Sequence, residues 1–131
     1  GGGLSEDNIA FLQSVYRYLL DEYNRLNLLR NDLERSIETL KALMRSTEEN
    51  IGPLILPVST FVSLFVEAAN AKEVLVLMGG NVYAKMNPEA AMKQMMERLE
   101  EVNQGIREVS SNIAKVQVEL ENAQRMMRRA K

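Results

Sequence analysis

The chain has 131 residues, 16 basic and 18 acidic, with a formal net charge of -2 and neither cysteine nor histidine. The length suits one domain, and interspersed charge with few aromatics argues against a nucleic-acid surface. The missing residue types exclude thiolate chemistry, zinc-finger sites and imidazole acid–base work; they suit a reducing compartment without establishing one.

Gly1-Gly2-Gly3 reads as an expression remnant or a trimmed end, with no initiator Met and no visible signal peptide. A first helix is predicted over 5–50. Ser5 can cap it, Glu6 and Asp7 place negative charge on its first turn, and Leu4 with Ile9 fits a hydrophobic staple. Gly52-Pro53 ends it. Its seam runs Ile9, Leu12, Tyr16, Leu19, Tyr23, Leu26, Arg30, Leu33, Ile37, Leu40, Met44, in alternating steps of three and four. Arg30 reads either as a register lock or as a packed stem whose head snorkels to Glu34 or Glu108.

The centre, 53–86, changes character. Residues 54–58, 60–66, 74–78 and 82–86 are rich in β formers and read as two hairpins linked by 68–72. Gly79-Gly80 marks a tight turn, and Pro57 belongs at an edge or a bulge. Lone hairpins are barely stable in water, and these carry hydrophobes on both faces, so the centre is expected to pair with other chains. Leu54, Leu56, Phe61, Leu64, Phe65, Val74, Val76, Met78, Val82 and Tyr83 are the residues expected to do so. The apolar stretch 51–78 is interrupted by Pro53, Pro57, Glu67, Asn70, Lys72 and Glu73, short of the roughly 18 uninterrupted residues a membrane span needs.

A second helix is predicted over 88–130. Asn87 caps it, Pro88 suits its first position, Glu89 follows, and Arg125, Arg128, Arg129 and Lys131 complement its C-terminal dipole. Its seam is Met92, Met95, Leu99, Val102, Ile106, Val109, Ile113, Val116, Leu120, Ala123, Met127. Gly105 reads as a tolerated exposed residue rather than a bend. Each helix spans about 65 Å. Equal lengths joined by a short centre predict an antiparallel coiled-coil hairpin in a mainly α chain with a small β part. A register in which paired residue numbers sum to about 139 aligns the seam, and one shifted by a heptad fits almost as well.

The layout of arm, two β-hairpins and returning arm resembles the alpha-type, archaeal-like subunit of prefoldin; the beta type carries one hairpin. ILPVSTFVSLFV is similar to that family's first hairpin, and EVLVLMGGNVYAKMNPEAA to its second, with an apolar strand, a Gly-containing turn, an aromatic-bearing strand and a helix start. The chain departs from the family in lacking a glycine in the first turn and in reading Met78-Gly79-Gly80-Asn81-Val82-Tyr83 where Val-Gly-x-Gly-Tyr is usual.

The resemblance implies hairpins that oligomerise into a β-barrel-like body, in a hexamer of two alpha and four beta subunits. It implies an ATP-independent cytoplasmic holdase, without cofactor or catalysis, that binds unfolded polypeptides at apolar coiled-coil tips and passes them to a group II chaperonin. On that reading Phe11, Leu12, Val15, Tyr16, Tyr18, Leu120, Met126 and Met127 are the expected client contacts, adaptable apolar groups set among charges. They also read as ordinary exposed apolars, since Leu28, Leu29, Leu43 and Met96 lie off the seam far from the tips. Gly79-Gly80 lacks the Lys-Ser/Thr of a phosphate loop, and Glu48-Glu49 and Glu100-Glu101 are solvated helix charges. The competing reading is a structural subunit that self-assembles through its hairpins into a scaffold or filament.

Overall fold

The computed structural model describes residues 2–49, 53–57, 60–67 and 72–130. In chain order these form α1 (Gly2–Glu49), β1 (Leu54–Pro57), β2 (Ser63–Val66), β3 (Val74–Gly79), β4 (Val82–Met86) and α2 (Pro88–Ala130). Two long helices and two antiparallel strand pairs are the expected class of fold.

The helix ends show how local chemistry sets boundaries. Asn87 Oδ1 accepts the Ala90 N–H at 2.7 Å, and the Asn87 carbonyl accepts the Ala91 N–H at 3.0 Å. Pro88, which has no N–H to offer, occupies the first helical position, where none is needed. At the other end, α1 begins at Gly2 instead of after Ser5. Leu4 and Ser5 fall within its first turn; their side chains, and with them the expected cap and staple, lie outside the described residues. So does the expected stop at 50–52.

The chain divides into two compact units, Gly1–Asn31 with Glu100–Lys131, and Asp32–Leu99. In the first, α1 and α2 run antiparallel. Gln117 Nε2 donates to the Tyr16 hydroxyl at 3.3 Å, and a Cβ placed on Gly105 would lie 3.4 Å from Leu26 Cδ1. Both contacts join residues whose numbers sum to about 132, one heptad from the first register considered above and equal to its alternative. Leu12, Leu26, Val102 and Val116 are buried. Every other seam residue of the unit is half-buried, as a helix pair that covers one stripe of each helix requires.

This register also corrects the reading of Gly105. It is half-buried beside Leu26, not a solvent position. Its missing side chain leaves room that a methyl group fills at ordinary contact distance. Gly105→Ala is therefore expected to stabilise the arm by about 0.8–1 kcal/mol through helix propensity, read as a higher Tm by circular dichroism. Gly105→Leu would force Leu26 aside and lower it.

In the second unit, Leu33, Ile37 and Leu40 are buried on α1, Ala91 and Met95 on α2, and Val76 on β3. Ser46 is buried as well, a position the heptad reading gave no reason to single out. β1 pairs with β2 from Leu54↔Val66 to Pro57↔Ser63. β2 is thus shorter than expected: Thr60 and Phe61 lie in a bend and Val62 outside the ladder. The partner strand ends at Pro57, which has no N–H to donate. Val58, Ser59 and the link 68–71 lie outside the described residues.

β3 pairs with β4 from Val74↔Met86 to Leu77↔Tyr83, and a bulge between Leu77 and Gly79 shifts the register so that Gly79 faces Val82. Gly79 has φ +147° and Gly80 φ +55°, both in left-handed space. No atom lies within 4 Å of a Cβ at either position, so a side chain there is opposed by backbone strain alone. Gly79→Ala is expected to cost the hairpin about 1–3 kcal/mol, seen as faster amide exchange across β3 and β4 with the arms unaffected.

Candidate functional site

Two kinds of surface are left apolar and open. The first is on the hairpins. In β3 and β4 the pleat sorts side chains by parity. Val74, Val76, Ala84 and Met86 face inward, with Val76 at 7% exposure, while Leu75, Leu77, Tyr83 and Lys85 are exposed on the other face. Ala91, at 0%, is the most buried residue of α2, and its small side chain permits close packing in this unit. The hairpin is tied to the same helix by Arg98: Nη1 donates to the Leu77 carbonyl at 2.7 Å and Nη2 to Met78 Sδ at 3.5 Å.

Of the expected assembly residues, Val76 is therefore buried within the chain and Val74 half-buried, while Met78, Val82 and Tyr83 are exposed. Leu75 and Leu77, not among the expected set, complete the outer face. Lys85 is the sequence signal for them, since it pairs across the ladder with Leu75 and a lysine marks the wet face.

The first hairpin is more open. The Ile55↔Phe65 pair lies on one face, Phe65 at 79% exposure; Leu56↔Leu64 on the other face is also exposed, with Leu54↔Val66 half-buried. Phe61, in the bend, is almost wholly exposed. Ile55 joins the set through its pairing, which the sequence alone did not reveal.

The second surface is at the arm ends. Phe11, Tyr18 and Met126 are 64%, 67% and 68% exposed. Phe11 and Tyr18 lie seven residues apart, two helical turns along one stripe of α1, about 10 Å. Val15, Tyr16, Leu120 and Met127 are half-buried and Leu12 is buried in the seam, so these five become fully accessible only where the two helices part. The stripe runs on to Arg25, which grips Glu22 with Nε on Oε2 at 3.0 Å and Nη2 on Oε1 at 2.6 Å. That paired hydrogen bond holds the Glu22 carboxyl below its usual range and raises the guanidinium of Arg25. Arg35 with Asp32 and Lys41 with Glu38 repeat the i,i+3 pairing further along. Leu28 and Leu29, further along α1, are also exposed.

The sequence profile of the prefoldin subunit family matches residues 12–131. The chain belongs to the prefoldin family. Its fold is similar to that in a cryo-EM structure of filamentous PFD from Methanocaldococcus jannaschii, with a TM-score of 0.64 and 20% sequence identity over 89% of this chain and 95% of that one. A search of curated protein sequences returned no match. Within the prefoldin frame, the hairpins leave ladder edges open, and the helices leave apolar side chains exposed, Phe11, Tyr18 and Met126 at the arm ends and Leu28, Leu29 and Met96 elsewhere. Among the described residues, no helix is long and apolar enough to cross a membrane.

Proposed function

We propose that this chain is an alpha-type prefoldin subunit, acting as one prefoldin-like domain, that joins other subunits through its two hairpins and holds unfolded polypeptides at its arm ends without ATP, cofactor or catalysis. The observation that carries this reading is the pair of apolar hairpins with open outer faces, Ile55 and Phe65 on one, Leu75, Leu77 and Tyr83 on the other. A two-stranded sheet with such faces is unstable alone, and partner strands would cover both its edges and its hydrophobes. Two hairpins rather than one support the alpha type. The partners are beta-type subunits and a second copy of this chain, in a hexamer of two alpha and four beta, with group II chaperonin as the recipient of the client. The place of work is the cytoplasm.

Client holding draws on Phe11, Tyr18 and Met126, with Val15, Tyr16, Leu120, Met127 and Leu12 behind them. Side chains of this kind, set among Arg and Glu, give weak adaptable contacts on a soluble surface. A second reading has support of its own, since the similar structure is of a filamentous PFD: on it this chain is a structural subunit that self-assembles through the same hairpins into a coiled-coil scaffold or filament. The mass of the chain alone and mixed with its host's one-hairpin partner separates the two. A closed hexamer formed only in the mixture supports the first reading, and open growth of the chain alone supports the second. Suppression of aggregation of a denatured client by the assembled species tests the holdase activity directly.

A further inference from the structure

We propose that Arg98 is the positioning residue that sets how the second hairpin lies on α2, and through it the assembly this chain can join. The inference deepens the reading above and rests on its claim that the hairpins make the assembly. Its basis is a coincidence of three features at one point. The only register shift in either described strand pair falls between Leu77 and Gly79. The two residues at the shift, Leu77 and Met78, are the two that Arg98 holds, one by its carbonyl and one by its sulfur. Gly79 and Gly80, next along the chain, adopt backbone angles that favour glycine.

A bulge disrupts the ladder and bends the strand, leaving a backbone group that needs another partner. The guanidinium supplies one, and its rigid planar fork reaches a second acceptor from a second nitrogen at the same time, a geometry that the single nitrogen of an ammonium does not reproduce. The spacing agrees. β4 advances about 16 Å over its five residues, and the ten steps of α2 from Pro88 to Arg98 rise about 15 Å, so a hairpin folded back on the helix brings its turn to Arg98. Ala91, Met95 and Arg98 lie on one face of α2, at steps of four and three. The first two are buried in the unit that also buries Val76. Apolar packing holds the hairpin down, and Arg98 fixes its angle at the far end. That angle determines where Leu75, Leu77 and Tyr83 point.

The test uses the full chain with Arg98→Met, which keeps an apolar stem and has no N–H donor, and Arg98→Lys, which keeps the charge and loses the fork. Amide exchange is followed on the dilute chain, and assembly by light scattering over a concentration series of the chain alone and mixed with its host's one-hairpin partner. Arg98→Met is expected to speed exchange across 74–86 by about tenfold and to weaken assembly by about tenfold, the worth of one charge-assisted hydrogen bond. Exchange in the arms and helix content stay unchanged. Arg98→Lys should recover part of the exchange protection through the Leu77 carbonyl and less of the assembly. Wild-type exchange in Arg98→Met overturns the anchor, and faster exchange with undiminished assembly overturns its link to assembly. A wild-type chain that assembles neither alone nor with the one-hairpin partner refutes the hairpin hub instead, and the exchange result then decides Arg98 as an anchor alone.

Discussion

Removing both arm ends, residues 1–19 together with 113–131, is expected to leave assembly intact and abolish suppression of client aggregation. The cut follows the register of the structure, in which paired numbers sum to about 132, so the shortened helices stay flush. What remains of each helix keeps buried seam residues, Leu26 and Leu33 on α1, Met95 and Val102 on α2, enough to hold a hairpin together. A finer version leaves the length alone. Phe11→Ser, Tyr18→Ser and Met126→Ser alter only exposed positions, so the fold should change by less than about 0.5 kcal/mol each. If each side chain contributes on the order of 1 kcal/mol of apolar contact, the triple variant binds clients about a hundredfold more weakly. Sedimentation of a denatured client in the presence of each variant is the measurement. Full protection by the truncated assembly would remove the arm ends from the mechanism.

The second large effect separates the two faces of β3. Leu75→Asp changes an exposed residue opposite Lys85, so the isolated chain should keep its stability within about 0.5 kcal/mol while assembly is lost. Val76→Asp buries a carboxylate in the packed interior of its unit and should cost several kcal/mol, freeing the hairpin from its packing while the helical signal of α1 and α2 persists. Both variants fail to assemble, for different reasons, and only the second shows fast amide exchange in the hairpin of the unassembled chain. Normal assembly by Leu75→Asp would mean that the outer face is not the interface.

How much of this was legible beforehand differs by element. The arms were written in the sequence, since every residue of both seams is buried or half-buried. The Asn87-Pro88 start of α2 was legible because capping chemistry is local: one side-chain oxygen meets one N–H three residues on. The first hairpin was legible as β structure but not in its register, because apolar residues on both parities allow more than one pairing and the turn lacks glycine to pin it. Arg98 was invisible, since its partners lie about twenty residues away in sequence.

The amino-acid sequence by itself determined what repeats and what punctuates: two matched heptad stripes, the breaks around Pro53 and Pro88, and the Gly79-Gly80 turn. Tertiary structure alone decided between registers one heptad apart, because a periodic apolar stripe slid by its own period still meets apolar partners. Contacts that do not repeat, Leu26 against Gly105 and Gln117 on the Tyr16 hydroxyl, break that degeneracy. It alone also decided which face of β3 turns inward, since a strand apolar at every position from Val74 to Met78 carries no alternation to read, and the choice falls to what packs in its unit, Ala91, Met95 and the fork of Arg98.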